Sequence, residues 1–183
     1  MALRLSCHPE HPTDAVSAIN ATVEWLTFGK FTVRYNLLGA VDQLVMPEPV
    51  TPKRTDNLWQ KSCFEAFISR EDAPEYLELN LSPSTEWAVY AFENYREGMS
   101  SPESINTPRI ESSSSAENFE LIAKLDLGDR PELEAGCLEM ALTAVIVEKN
   151  GRKSFWALNH PPGNPDFHNR DCFIHKIKAA ESR

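Results

Sequence analysis

Phe119, Leu121, Ala123, Leu125 and Leu127 alternate with Glu120, Ile122, Lys124 and Asp126, the period-two pattern of a strand that buries one face. The same period runs through 31–38, where Phe31, Val33, Tyr35 and Leu37 oppose Thr32, Arg34 and Asn36, and through 76–81, where Leu77, Leu79 and Leu81 oppose Tyr76, Glu78 and Asn80. Further strands are predicted over 3–8, 22–28, 62–69, 87–92, 138–147, 154–159 and 172–177, about ten in all. Glycine-containing turns at Phe28-Gly29-Lys30-Phe31 and around Asn150-Gly151 read as hairpin connections. Only 13–19 and 130–135, the latter opened by Pro131, carry even one turn of helical pattern. Short strands that each bury one face need a second layer. The expected fold is therefore all-β, an antiparallel two-sheet β-sandwich of immunoglobulin-like or jelly-roll-like type with little helix. The polar, serine-rich stretch 97–118 reads as a mobile loop, or as a loop holding one short strand near 108–111. With no linker and no internal repeat, 1–183 is expected to be a single domain.

Charge narrows the partners. The chain has 27 Asp plus Glu against 18 Lys plus Arg, a formal charge of −9, and no basic cluster with which to grip nucleic acid or an anionic membrane. Its most apolar stretch, 138–147, contains Glu139 and is too short to span a bilayer. Residues 1–7 lack the apolar core of a secretory signal, so a cytoplasmic location is expected. The four cysteines, Cys7, Cys63, Cys137 and Cys172, show no metal or redox spacing and read as reduced, structural thiols. The Cys7-His8-Pro9-Glu10-His11 segment reads as a surface turn rather than a metal site.

Two segments carry anomalies. In strand 62–69, alternation puts Glu65 on one face with Cys63 and Phe67, and a half-buried carboxylate needs a partner or a proton. Trp59 lies six residues before it, and 76–81 supplies Tyr76, Glu78 and Asn80 to a neighbouring surface. The plain alternative is that Glu65 pairs with an arginine such as Arg34 while Trp59 caps the core. The second segment, 155–173, holds three prolines and a glycine in a stiff loop carrying Asn159, His160, Asp166, His168, Asn169, Arg170 and Asp171. Such a loop loses little entropy on binding a ligand. Alternatively, it is a self-satisfied connection in which Asp166, Arg170 and Asp171 hold the backbone.

The string from Asp56 to Ile68, with Leu58-Trp59 and Glu65-Ala66-Phe67, the following Glu78-Leu79-Asn80-Leu81-Ser82-Pro83, and the closing Pro165-Asp166-Phe167-His168-Asn169-Arg170 loop together resemble the DOMON-like, family 9 carbohydrate-binding-module type, in particular its single-domain bacterial members. The resemblance implies a β-sandwich with a site for a sugar or for haem. It also implies that Trp59 stacks on a sugar ring, that Glu65 accepts hydroxyl hydrogen bonds, and that Trp156 with Asn159 is the counterpart of a second stacking tryptophan and its asparagine. Haem-binding members use methionine and histidine as axial ligands; Met46, Met99 and Met140 lie outside the matching motifs, so haem is disfavoured and no cofactor is expected.

The sequence thus points to a non-catalytic domain binding a small, neutral saccharide or another small ligand. Its candidate site is Trp59, Glu65, Asn80, Trp156, Asn159, His160, His168 and Arg170. An intracellular scaffold or interaction domain with a vestigial site is the alternative. An enzyme pairing Glu65 with Glu78 or His160 as acid and base finds no supporting reaction motif.

Overall fold

A computed structural model describes residues 1–27, 29–128, 133 and 137–178. Among these there is no α-helix, and eleven strands make one antiparallel sheet. They are β1 (Leu3–Cys7), β2 (Val16–Thr27), β3 (Lys30–Gly39), β4 (Cys63–Arg70), β5 (Tyr76–Leu81), β6 (Trp87–Phe92), β7 (Arg109–Ser114), β8 (Asn118–Asp126), β9 (Cys137–Val147), β10 (Lys153–Ala157) and β11 (His175–Lys178). Their order across the sheet is β6-β5-β4-β9-β10-β1-β2-β3-β8-β7, with β11 also paired to β9.

The separate two-sheet arrangement gives way here to one strongly curled sheet. Strand β1 hydrogen-bonds on one side to β10 and on the other to β2, so the ladder is continuous where a sandwich would break. Curling lets the two arms bury their inner faces against each other. Tyr35 of β3 packs on Phe64 of β4, with ring centroids 5.0 Å apart, and its hydroxyl donates to the Glu65 carbonyl at 2.6 Å. Phe64 also stacks parallel to Phe119 of β8. Leu5, Ile19, Leu37, Ile68, Leu79, Leu121 and Leu142 fill the same core.

Most expected strands are found within one or two residues of their expected bounds. Thr13–Ile19 is an exception: it makes no helical turn and instead leads into a long β2, because Val16, Ile19 and Ala21 are all core residues on a strand paired to β3. Stretch 97–118 contains β7, whose Ile110 is buried against the core beside Ala123. The expected strand 172–177 begins later, after a 3₁₀ turn over Arg170–Cys172. Gly39 ends β3 where a side chain would run into the Ala15 carbonyl. Of the expected helical turn at 130–135 all but Leu133 lies outside the described residues, as does Phe28 in the first hairpin.

Strands β4 and β5 are buried on both faces, and this positions the site. One face meets the core. The other is covered by the loop after β10, whose Phe167, Cys172 and Phe173 join Phe67, Tyr76, Phe92, Ala141 and Val145 in a second apolar cluster.

Candidate functional site

Pleating and register set out the outer face of this arm as cross-strand rows. Asn80, Glu65 and Thr143 form one row, Tyr90, Glu78, Phe67 and Ala141 the next, and Cys63, Val145 and Phe155 a third. Above them lies a cleft of about 860 Å³, whose lining includes Trp59, Glu65, Phe67, Glu78, Tyr90, Phe92, Arg96, Met99, Phe155, Phe167 and His168. This is the size range of small-ligand sites.

Trp59 stands at the rim on a 3₁₀ turn, Leu58–Gln60. That turn is entered through Asn57 at φ 61°, a left-handed conformation that asparagine tolerates better than most residues. Leu58 is anchored in a small apolar cluster with Cys63 and Ala88, which leaves the indole 50% exposed. Trp59 therefore does not cap the core. Tyr90 packs against the same cluster and donates its hydroxyl proton to Asp56 at 2.6 Å.

Glu65 is only 3% exposed, and its carboxyl accepts one hydrogen bond, from the Thr143 hydroxyl at 3.1 Å. Arg34 does not serve it, being paired with Glu120 on the surface. Burial first, and then the neighbouring Glu78, push the Glu65 carboxyl up to about 8 against the opposing Thr143 bond. Glu78 is 7% exposed and is raised by burial against the pull of its Asn80 hydrogen bond and of Arg96. Asn80 spends its amide on Glu78, 2.6 Å away, and lies beneath the cleft floor.

His168 comes down onto this floor from the proline-rich loop. The Tyr76 hydroxyl accepts from the Arg96 backbone N–H at 3.1 Å and stands 2.8 Å from His168 Nδ1, a hydrogen bond whose donor is set by the imidazole tautomer. His168 Nε2 then faces the Glu78 carboxyl at 3.6 Å. Burial and the Arg96 charge push the imidazole down to about 4, so at neutral pH this approach is not an ion pair. The loop is held by Asp166, which accepts from Arg96 and from the Tyr95 hydroxyl, each at 2.7 Å. Asp166 stays below its ordinary range because these bonds outweigh its partial burial.

The structure brings Trp59, Glu65 and His168 together in the cleft, with Asn80 directly below. The other four expected site residues lie elsewhere. Trp156 points into the core, 5% exposed, with its indole N–H donating to Ser154; the one-residue alternation of β10 gives the cleft Phe155 instead. Asn159 donates to the Asp171 carbonyl. His160 contacts the Ser6 carbonyl and packs edge-on to His8. Arg170 binds Glu139 and lies over Phe173, bracing the loop from behind. Sequence reasoning passed over Tyr90, Phe92 and Phe155, although parity with Ala88 marks the first two as outward-facing. Arg96 and Met99 arrive on a connection with no periodic signal.

No family model matches the chain, and no curated protein matches it. Its fold is nevertheless shared with solved structures. A provisionally assigned carbohydrate-binding protein from Bacteroides uniformis ATCC 8492 superposes with a TM-score of 0.68 at 12% identity, covering 98% of this chain and 86% of that one. A family 9 carbohydrate-binding module from Caldicellulosiruptor kristjanssonii, solved with cellotriose, gives 0.54 at 12% identity over 99% and 84% of the two chains. The same kind of module in complex with glucose gives 0.50 at 12% identity over 91% and 78%. The chain has a fold of the family 9 carbohydrate-binding-module type.

Proposed function

We propose that this protein is a non-catalytic saccharide-binding domain whose ligand lies in the cleft between Trp59 and Phe155. The observation that carries this reading is the composition of that cleft. Carboxyls lie among aromatic side chains, of which Trp59 stands half exposed at the rim, free to meet a sugar's apolar face. The fold it shares with modules solved in complex with glucose and cellotriose supports the same reading. No haem is invoked: Met99 and His168 both line the cleft, but His168 Nδ1 stands 2.8 Å from the Tyr76 hydroxyl and Nε2 lies 3.6 Å from Glu78, so this imidazole would have to leave one of these neighbours to bind iron.

Isothermal titration with glucose, cellotriose and a panel of other small saccharides tests the proposal. A site built from one or two ring stacks and a few hydrogen bonds binds in the micromolar to millimolar range. Trp59→Ala is expected to weaken binding at least about tenfold, equivalent to about 1.4 kcal/mol, with the circular dichroism spectrum unchanged. Binding that survives this substitution in full places the ligand elsewhere.

A further inference from the structure

Glu65 and Glu78 are diagonal neighbours on adjacent strands, projecting from the same face of the sheet. Both line the cleft, and both are more than nine-tenths buried. Among the described residues, neither has a lysine or arginine within ion-pairing distance. Glu65 has one donor, Thr143, on one of its two oxygens, and among the described residues the other oxygen accepts no hydrogen bond. Glu78 has the Asn80 amide and the neutral His168 ring. Arg96, the cation that lines the cleft, is committed to Asp166 at 2.7 Å.

Two desolvated carboxyls side by side are an expensive way to meet neutral hydroxyls, for which an amide would suffice. Their charged forms become favourable when a cation enters between them. Aromatic residues Trp59, Tyr90 and Phe155 also line the cleft, and a ring that turns its face to the ligand attracts a cation. Given a saccharide ligand, as proposed above, we propose that the sugar carries an ammonium group, as an amino sugar does, and that this group sits between the carboxylates of Glu65 and Glu78. Before binding, the pair holds a proton. The ammonium keeps its own protons on arrival, and the carboxyl proton is released to solvent. The titratable or charged groups around the pair are Cys63, Tyr35, Tyr76, Tyr90, Asp56, Arg96, Asp166 and His168; of these only Arg96 brings positive charge, which lowers Glu78 from a distance while its guanidinium is paired with Asp166.

The test compares glucosamine and its β-1,4-linked di- and trisaccharides with glucose, cellobiose and cellotriose, which have nearly the same shape without the charge. Titrations run on the full chain at about pH 5.5, about two units below an ordinary α-amino group, so that the sugar amine is protonated, in buffers of different ionisation enthalpy. The expected result is at least tenfold tighter binding of the amino sugars, release of up to one proton per ligand, and a preference that falls below about threefold in Glu65→Gln and in Glu78→Gln. Equal or tighter binding of the neutral sugars overturns the ammonium proposal and leaves saccharide binding standing. A preference that survives both substitutions places the ammonium elsewhere and also overturns it. If neither series binds, both readings fall. Should either variant fail to fold, the wild-type comparison and its proton count still decide.

Discussion

Trp59 and Trp156 have the same side chain and opposite energetics. Half of Trp59 remains in solvent on a short turn, while Trp156 is buried among the core residues with its N–H satisfied by Ser154. Trp156→Ala should therefore cost about 3–5 kcal/mol through lost burial and the cavity left behind. Trp59→Ala should cost less than about 1 kcal/mol. Denaturant unfolding of the two variants checks this, and equal losses would contradict the assignment of one tryptophan to the cleft and the other to the core. Alternation around β10 allows either Phe155 or Trp156 to face inward, because a shift of one residue exchanges the two faces. Pairing with β9, which sets Phe155 opposite Val145 and Trp156 opposite Ala144, decides the matter.

The proline-rich connection after β10 behaves as a clasp. Asp166 gathers the Arg96 guanidinium, the Tyr95 hydroxyl and, at 3.3 Å, the His168 backbone N–H. It thereby fastens this loop to the one after β6. Losing these bonds in Asp166→Ala should destabilise the protein by about 1–3 kcal/mol and raise hydrogen exchange at 160–173 more than in β2 or β3. Uniform exchange across the molecule would show that the clasp has no local role. That this segment is stiff and polar was legible from its prolines and charged residues. Which histidine it delivers was not: His168 follows Asp166 onto the floor, whereas His160 turns away to Ser6.

At the scale of the whole molecule, buried ionisable groups shape the response to pH. Glu65 titrates at about 8 in the folded state against an ordinary 4.5, so within that window the folded protein holds a proton that the unfolded chain has lost. Stability from this group is complete below 4.5 and falls as pH rises toward 8, by up to about 1.4 kcal/mol per unit. Raised Glu78 acts in the same direction. His168 acts oppositely: its folded value is about 4 against an ordinary 6.5, so its contribution is complete above 6.5 and is lost as pH falls toward 4. Between about 4.5 and 6.5 the two trends oppose each other. Thermal unfolding followed against pH should show a broad maximum there with losses on both sides, and Glu65→Gln should flatten the alkaline limb. A wild-type melting temperature that climbs steadily to pH 8 would mean that Glu65 is charged in the folded state.

Local alternation by itself determined that this chain is built of strands, where most of them run, and that Glu65 sits on an apolar strand without an obvious partner. Those facts follow from the two-residue repeat of side chains along a strand, which needs no knowledge of neighbours. The loop after β10 was legible from its prolines and glycine, which are local signals too. Tertiary structure decided the rest. Whether β1 would divide two sheets or join them depends on hydrogen bonds to β10 and β2, partners distant in the chain. The identity of the cleft wall depends on which residues of β4, β5, β6, β9 and β10 come into register. The proton on the Glu65–Glu78 pair depends on burial and on neither carboxyl having an ion-pair partner among the described residues, and proximity across strands is a property that only the folded sheet possesses.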